Sequence, residues 1–222
     1  MLKRFLPALP VAIDAGCSAA DLAALFRTVA GSGRRARVIL DDRLVRIWQS
    51  APPANLAGLD ELQVAAAVRF ETLYGEPSDG WHISGAWQVD RPFMTAAVPR
   101  SLLAQILSAA AAAGTGVRSI EARFIAAWNR HCGRLDGATW LAHVHAGVLT
   151  LGAGEHGHLA SVRACTLPAE CSHAWLATHV AREAVRMGRA APARLALSGP
   201  APQEWAAAHA LPQCVVLDRS DA

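Results

Sequence analysis

The chain has 222 residues, enough for one large domain or two small ones built on a proper core. A hydrophobic fraction of 53% against 18% charged residues excludes disorder, and the abundance of alanine within that fraction points to helix packing rather than membrane insertion. A net charge of +3, with arginines clustered only at Arg34, Arg35 and Arg37, excludes a nucleic-acid footprint.

Lys3 and Arg4 precede an apolar stretch, Phe5 to Ile13, followed by Asp14-Ala15-Gly16-Cys17. Two prolines, the shortness of the stretch and Asp14 where an apolar residue is wanted argue against a lipoprotein signal. Ser101 to Gly114, the longest apolar tract elsewhere, is too short to span a bilayer. Cys17, Cys132, Cys165, Cys171 and Cys214 have no close paired spacing, which argues for isolated thiols in a reducing compartment. A soluble cytoplasmic protein is expected.

Ser18 to Val29 reads as a helix with Ser18 and Asp21 spaced for capping and Leu22, Leu25, Phe26 and Val29 in one stripe. Arg37 to Trp48 reads as a hairpin turning at Asp41-Asp42, and Pro52-Pro53 stops it. The next helix has capping-box spacing at Asp60 and Gln63, a face of Leu62, Ala66 and Leu73, and Gly75 as its left-handed end. Trp81 to Val89 alternates as a half-exposed strand, and Phe93 to Val98 leads through Pro99 into a helix closed by Gly114. A short strand, Val117 to Glu121, feeds a helix with Phe124, Ile125 and Trp128, and Gly133 to Gly137 reads as a linker. Beyond it, Trp140–His145, Val148–Gly152 and His158–Thr166 read as three antiparallel strands. A helix from His173 to Met187, a strand at Arg194 to Leu197, a helix at Gln203 to His209 and a strand at Cys214 to Leu217 complete the chain.

Three antiparallel strands followed by alternating helices and strands resemble the plan of each half of an actin-like (RNase H-like) ATPase. Over residues 37–131 the resemblance narrows. Val38–Leu40 and Arg46-Ile47-Trp48 precede a proline; Leu59-Asp60-Glu61-Leu62 opens a helix ending in Phe70-Glu71; Gly80-Trp81 begins a strand. Val98-Pro99-Arg100 then leads into an alanine-rich helix, and Ile120-Glu121 precedes Ala126-Ala127-Trp128-Asn129-Arg130. This order is similar to the PilM-type pilus assembly proteins and the cytoplasmic part of the type II secretion L protein, over roughly residues 37 to 217. The resemblance implies an α/β fold of mixed sheets with flanking helices, an abbreviated N-terminal half (1–132) and a C-terminal RNase H-like half (133–222).

Nucleotide-binding members of this group carry an Asp-x-Gly-type turn between the first two strands of each half. Ile13-Asp14-Ala15-Gly16 resembles that turn, yet a helix follows where a second strand belongs. The second half has His143-Val144-His145-Ala146-Gly147, with no carboxylate for magnesium, and Leu197-Ser198-Gly199-Pro200 where a glycine-rich turn would meet adenosine. If nucleotide binds, Asp14, Gly16 and Gly199 are its contacts. The expectation is a pseudo-ATPase: a non-catalytic scaffold with no cofactor, held at the inner membrane by the cytoplasmic segment of a pilus or type II secretion-like assembly protein.

Other side chains offer narrower chemistry. His143 and His145 share a strand face, and His156 or His158 on the neighbouring hairpin would complete a zinc or nickel site; otherwise two are exposed strand residues and two sit in a polar turn. No nucleophile elbow surrounds Ser84 or Ser198, and no motif places a histidine beside a cysteine. Trp48 and Trp81 are candidates for partner contact, since aromatics are enriched in interface hot spots; Trp128 and Trp140 are expected in the core.

Overall fold

The computed structural model describes residues 7–54, 58–136, 139–155, 157–207 and 210–219. His156, the linker residue Gly137 and His209 lie outside the described residues. Two compact units emerge: Met1–Arg91 with Thr95–Arg123, and Pro92–Met94 with Phe124–Ala222. The first carries β1 (Leu9–Ile13), α1 (Ala19–Gly31), β2 (Ala36–Leu40), β3 (Arg46–Ser50), α2 (Leu59–Tyr74), β4 (Trp81–Gly85), β5 (Phe93–Pro99, from Thr95 on), α3 (Arg100–Ala112) and β6 (Val117–Ala122). The second carries α4 (Arg123–His131, from Phe124 on), β7 (Trp140–His145), β8 (Val148–Glu155), β9 (His158–Thr166), α5 (His173–Arg186), β10 (Arg194–Ser198), α6 (Gln203–Ala207) and β11 (Gln213–Val216).

In the first unit β1, β2 and β6 form a parallel sheet in the order β1-β2-β6. The apolar stretch before Asp14 thus supplies a strand, with Val11 and Ile13 buried. Parallel pairing needs crossovers, and helices supply them: α1 joins β1 to β2 and packs against α3. The capping box at α1 forms as expected, with Ser18 accepting from the Asp21 amide and Asp21 from the Ser18 amide.

Three local expectations are corrected. Arg37 to Trp48 is not a hairpin, because β2 already has parallel neighbours on both edges and leaves none for β3. Asp41 instead caps a single 3-10 turn at Asp42–Leu44, and β3 enters a separate sheet in the order β3-β5-β4. No capping box forms at Asp60, since the N-cap of α2 is Gly58, two residues earlier; Asp60 and Glu61 complement the dipole from the first turn. The strand at Trp81 stops at Gly85, short of Trp87 with its positive φ of 46°.

The second unit has five strands in the order β11-β10-β7-β8-β9, with β8 antiparallel to β7 and β9, and β10 parallel to β7 and β11. Three antiparallel strands followed by helix, strand, helix and strand is the element order expected from the sequence. Its central strands are apolar on both faces, as a sheet covered twice requires. Trp140, Ala142, Val144, Leu195 and Leu197 join the cluster containing Leu176 and Val180 of α5 and Trp205 of α6. Leu141 and Ala196 point the other way, onto Phe124 and Trp128 of α4. Helix α4 lies close because β8 carries glycine beneath it: a Cβ at Gly152 would stand 2.3 Å from Phe124 Cζ. Gly152→Ala is therefore expected to lower stability by roughly 1–3 kcal/mol through overpacking. An unchanged urea midpoint would show that the ring does not rest on this strand.

Candidate functional site

Ligands of open parallel sheets collect at the carboxyl ends of the strands. In the first unit the final register pairs are Ile13–Leu40 and Leu40–Ala122, so Asp14, Asp41 and Arg123 are the next residues on each strand. Asp14 accepts from Arg123 Nη2 at 3.0 Å, with the guanidinium buried and the carboxylate largely exposed. Buried Asp41 accepts from Arg43 Nε at 3.0 Å and Nη2 at 2.6 Å. Both carboxylates at this edge thus face a guanidinium. Gly16, with φ of 97°, has open space where a Cβ would be.

In the second unit the strand order reverses at β7 and β10, since β8 and β9 extend to one side and β11 to the other. At that switch point His143 is paired in register with Ser198, and its Nδ1 lies 3.3 Å from Ser198 Oγ. The Ser198 hydroxyl donates to Asp218 Oδ1 at 2.9 Å, and the Gly199 amide donates to the same oxygen at 3.1 Å. His131 Nε2 at the end of α4 bonds to Oδ2, with Arg130 Nη1 3.7 Å from that oxygen. With its O–H directed at Asp218, Ser198 Oγ has only lone pairs left for His143, which suits the imidazole tautomer that carries its hydrogen on Nδ1. Burial pushes the Asp218 carboxyl up, but the Gly199 amide, the Ser198 hydroxyl and His131 outweigh it and hold the group below the ordinary aspartate range. Gly199 cannot carry a side chain here, because its Cβ would fall 2.1 Å from the Val144 carbonyl oxygen.

His143 and His158, expected on neighbouring strands of one metal site, stand apart. His143 is opposite Thr150 and His158 opposite Glu155, so five residues of β8, about 16 Å, separate their positions along the sheet. His145 is half-buried at the end of β7, and His158 is exposed. Trp48 is buried, with ring centroids 5.5 Å from Phe70 and 6.0 Å from Tyr74. Trp81 is half-buried, 5.2 Å from Phe70 and with the Arg46 guanidinium 5.4 Å over its ring.

Two arrangements escape sequence reasoning. Asp218 sits just past the last expected strand, and only its placement after a parallel strand marks it. The other is a thiol with a histidine beside it: Cys165 Sγ lies 3.3 Å from His179 Nε2, and Arg182 donates to His179 Nδ1 at 2.8 Å. Burial pushes the thiol up and the imidazole down, so both are neutral at pH 7, as suits a packed pair rather than a thiolate nucleophile.

No family model and no curated protein matches the chain. Among solved structures it is similar to the cytoplasmic domain of EpsL, an inner membrane component of the type II secretion system of Vibrio cholerae, with TM-score 0.59 and 12% identity over 82% of this chain and 69% of that one. A second is a Bacteroides thetaiotaomicron protein with actin-like ATPase fold and unknown function, with TM-score 0.53 and 10% identity over 84% of this chain and 69% of that one. A third is the PilM-PilN type IV pilus biogenesis complex, with TM-score 0.50 and 19% identity over 74% of this chain and 53% of that one. The chain thus spans about half of the last. These likenesses show the fold: the protein is an α/β chain of actin-like architecture.

Proposed function

We propose that the protein is a non-catalytic cytoplasmic scaffold of a type IV pilus or type II secretion-like assembly platform, held at the inner membrane by a partner's cytoplasmic segment. One observation carries this reading. In each turn that a nucleotide would need, one polar group is engaged by the chain itself: Asp14 by the Arg123 guanidinium, and the Gly199 amide by the Asp218 carboxylate. Magnesium would have to compete with a buried arginine, and a ligand at Gly199 with an aspartate. The neighbours lend support, since one is the cytoplasmic domain of an inner membrane component and another was solved as a PilM-PilN complex. No helix among the described residues is long and apolar enough to cross a membrane, which fits attachment through a partner. The edge strand β9, nine residues long, offers main-chain groups for an added strand.

Thermal melting tests the reading. A ligand at a hundredfold excess over its Kd stabilises the native state by about 2.7 kcal/mol, which is roughly 5–10 °C in a chain of this size. The expected result is no shift with millimolar magnesium-ATP, together with retention of the purified protein on the immobilised cytoplasmic segment of its membrane partner. A clear ATP shift would overturn the scaffold reading in favour of nucleotide binding by Asp14, Gly16 and Gly199. A zinc shift abolished by His143→Ala and His145→Ala would favour a metal protein.

A further inference from the structure

The Asp218 carboxylate is held by groups that are better fixed than it is. Ser198 ends β10, and His131 ends α4; both are almost wholly buried. Gly199 is wedged against the Val144 carbonyl, and His143 orients the Ser198 hydroxyl from the adjoining strand. Asp218 itself lies two residues beyond β11, outside any helix or strand, and its side chain keeps 19% of its surface in solvent. The donors therefore form a rigid receptor, and the acceptor is a tethered group reaching it from the solvent side.

The receptor's shape suits a carboxylate. Two neutral donors, the Ser198 hydroxyl and the Gly199 amide, converge on one oxygen, while His131 meets the other. Arg130, 3.7 Å from the second oxygen, supplies charge. His131 depends on this acceptor, since its Nδ1 is buried and has no hydrogen-bond partner among the described residues. Removing Asp218 strips the bond from its other nitrogen too, and a buried group left wholly unpaired favours any anion that restores it. The location agrees, because a topological switch point is where doubly wound sheets take ligands.

We propose that the end of β10 is a carboxylate-binding cradle, built from Ser198, Gly199 and His131, which the chain fills in cis with Asp218. When that segment moves away, the cradle accepts a carboxylate from another molecule, such as an acidic side chain or chain terminus of a bound peptide.

Chemical rescue in the full chain tests this. Asp218→Ala is expected to melt several degrees below the wild type. Acetate should restore at least half of that loss relative to chloride at equal ionic strength, while the wild type, already filled, responds equally to both salts. Adding Ser198→Ala to the first substitution should abolish the recovery. Acetate no better than chloride on Asp218→Ala overturns the proposal, and recovery with inorganic phosphate but not acetate overturns the choice of ligand. If the variant does not fold in chloride, refolding supplies the reading: cooperatively melting protein recovered only in acetate supports the cradle, and equal failure in both salts refutes it.

Discussion

Gly199→Ala is expected to lower stability by about 2–5 kcal/mol, from two sources that act together. At φ of 79° an added Cβ costs roughly 1–2 kcal/mol by conformation alone. The same atom would lie 2.1 Å from the Val144 carbonyl oxygen, a backbone atom of β7 that cannot yield without disturbing the sheet. Overpacking of this kind typically adds about 1–3 kcal/mol. Gly16 is the control. Its φ of 97° is also positive, but nothing lies within 4 Å of its Cβ position, so Gly16→Ala should cost only the conformational part, about 1–2 kcal/mol. Urea midpoints at unchanged m-value decide the matter. Equal losses at the two glycines would mean that the Val144 contact is not made. The contrast also bears on function, because only Gly16 retains the open approach a phosphate would need, while Gly199 is closed off by strand backbone.

Local chemistry made much of the fold legible. The Ser18–Asp21 capping box, the left-handed Gly75 and the Ala146-Gly147 turn, with φ of 45° and 75°, each rest on a few neighbouring residues. Alternation found β7, β8 and β9 because hairpin partners are close in sequence. The failures were non-local. Nothing adjacent to Val38 shows that it pairs with Val11 on one side and Ile120 on the other, so Arg37 to Trp48 read as a hairpin. The site suffered most from this. Asp14 and Arg123 are 109 residues apart, and His131 and Asp218 are 87 apart. Asp14 and Gly199 stand out in the sequence through a resemblance, but what engages them lies at the far ends of crossovers, beyond the reach of spacing. The absence of a magnesium carboxylate after β7 was readable, whereas the carboxylate that bonds the Gly199 amide was not.

Trp205→Ala is expected to cost about 3–5 kcal/mol, or a fall in Tm of roughly 10 °C or more. Trp205 is completely buried, stacks on Trp175 at 6.4 Å and donates from Nε1 to the Cys171 carbonyl at 2.5 Å. Helix α6 spans only five residues, too few to persist without tertiary contacts, so this indole is its anchor. The crossover from β10 to β11 runs through α6, and β11 leads directly to Asp218. Truncating Trp205 should therefore loosen both the edge strand and the group that fills the cradle. Trp205→Phe, which keeps most of the packing and loses the N–H, should recover the larger share. Acetate should not restore Trp205→Ala as it restores Asp218→Ala, because the missing contact is apolar. A loss below about 1 kcal/mol would mean that the crossover is held elsewhere. Acetate rescue of the tryptophan variant would mean that the cradle carboxylate, rather than the buried ring, secures β11 to its sheet.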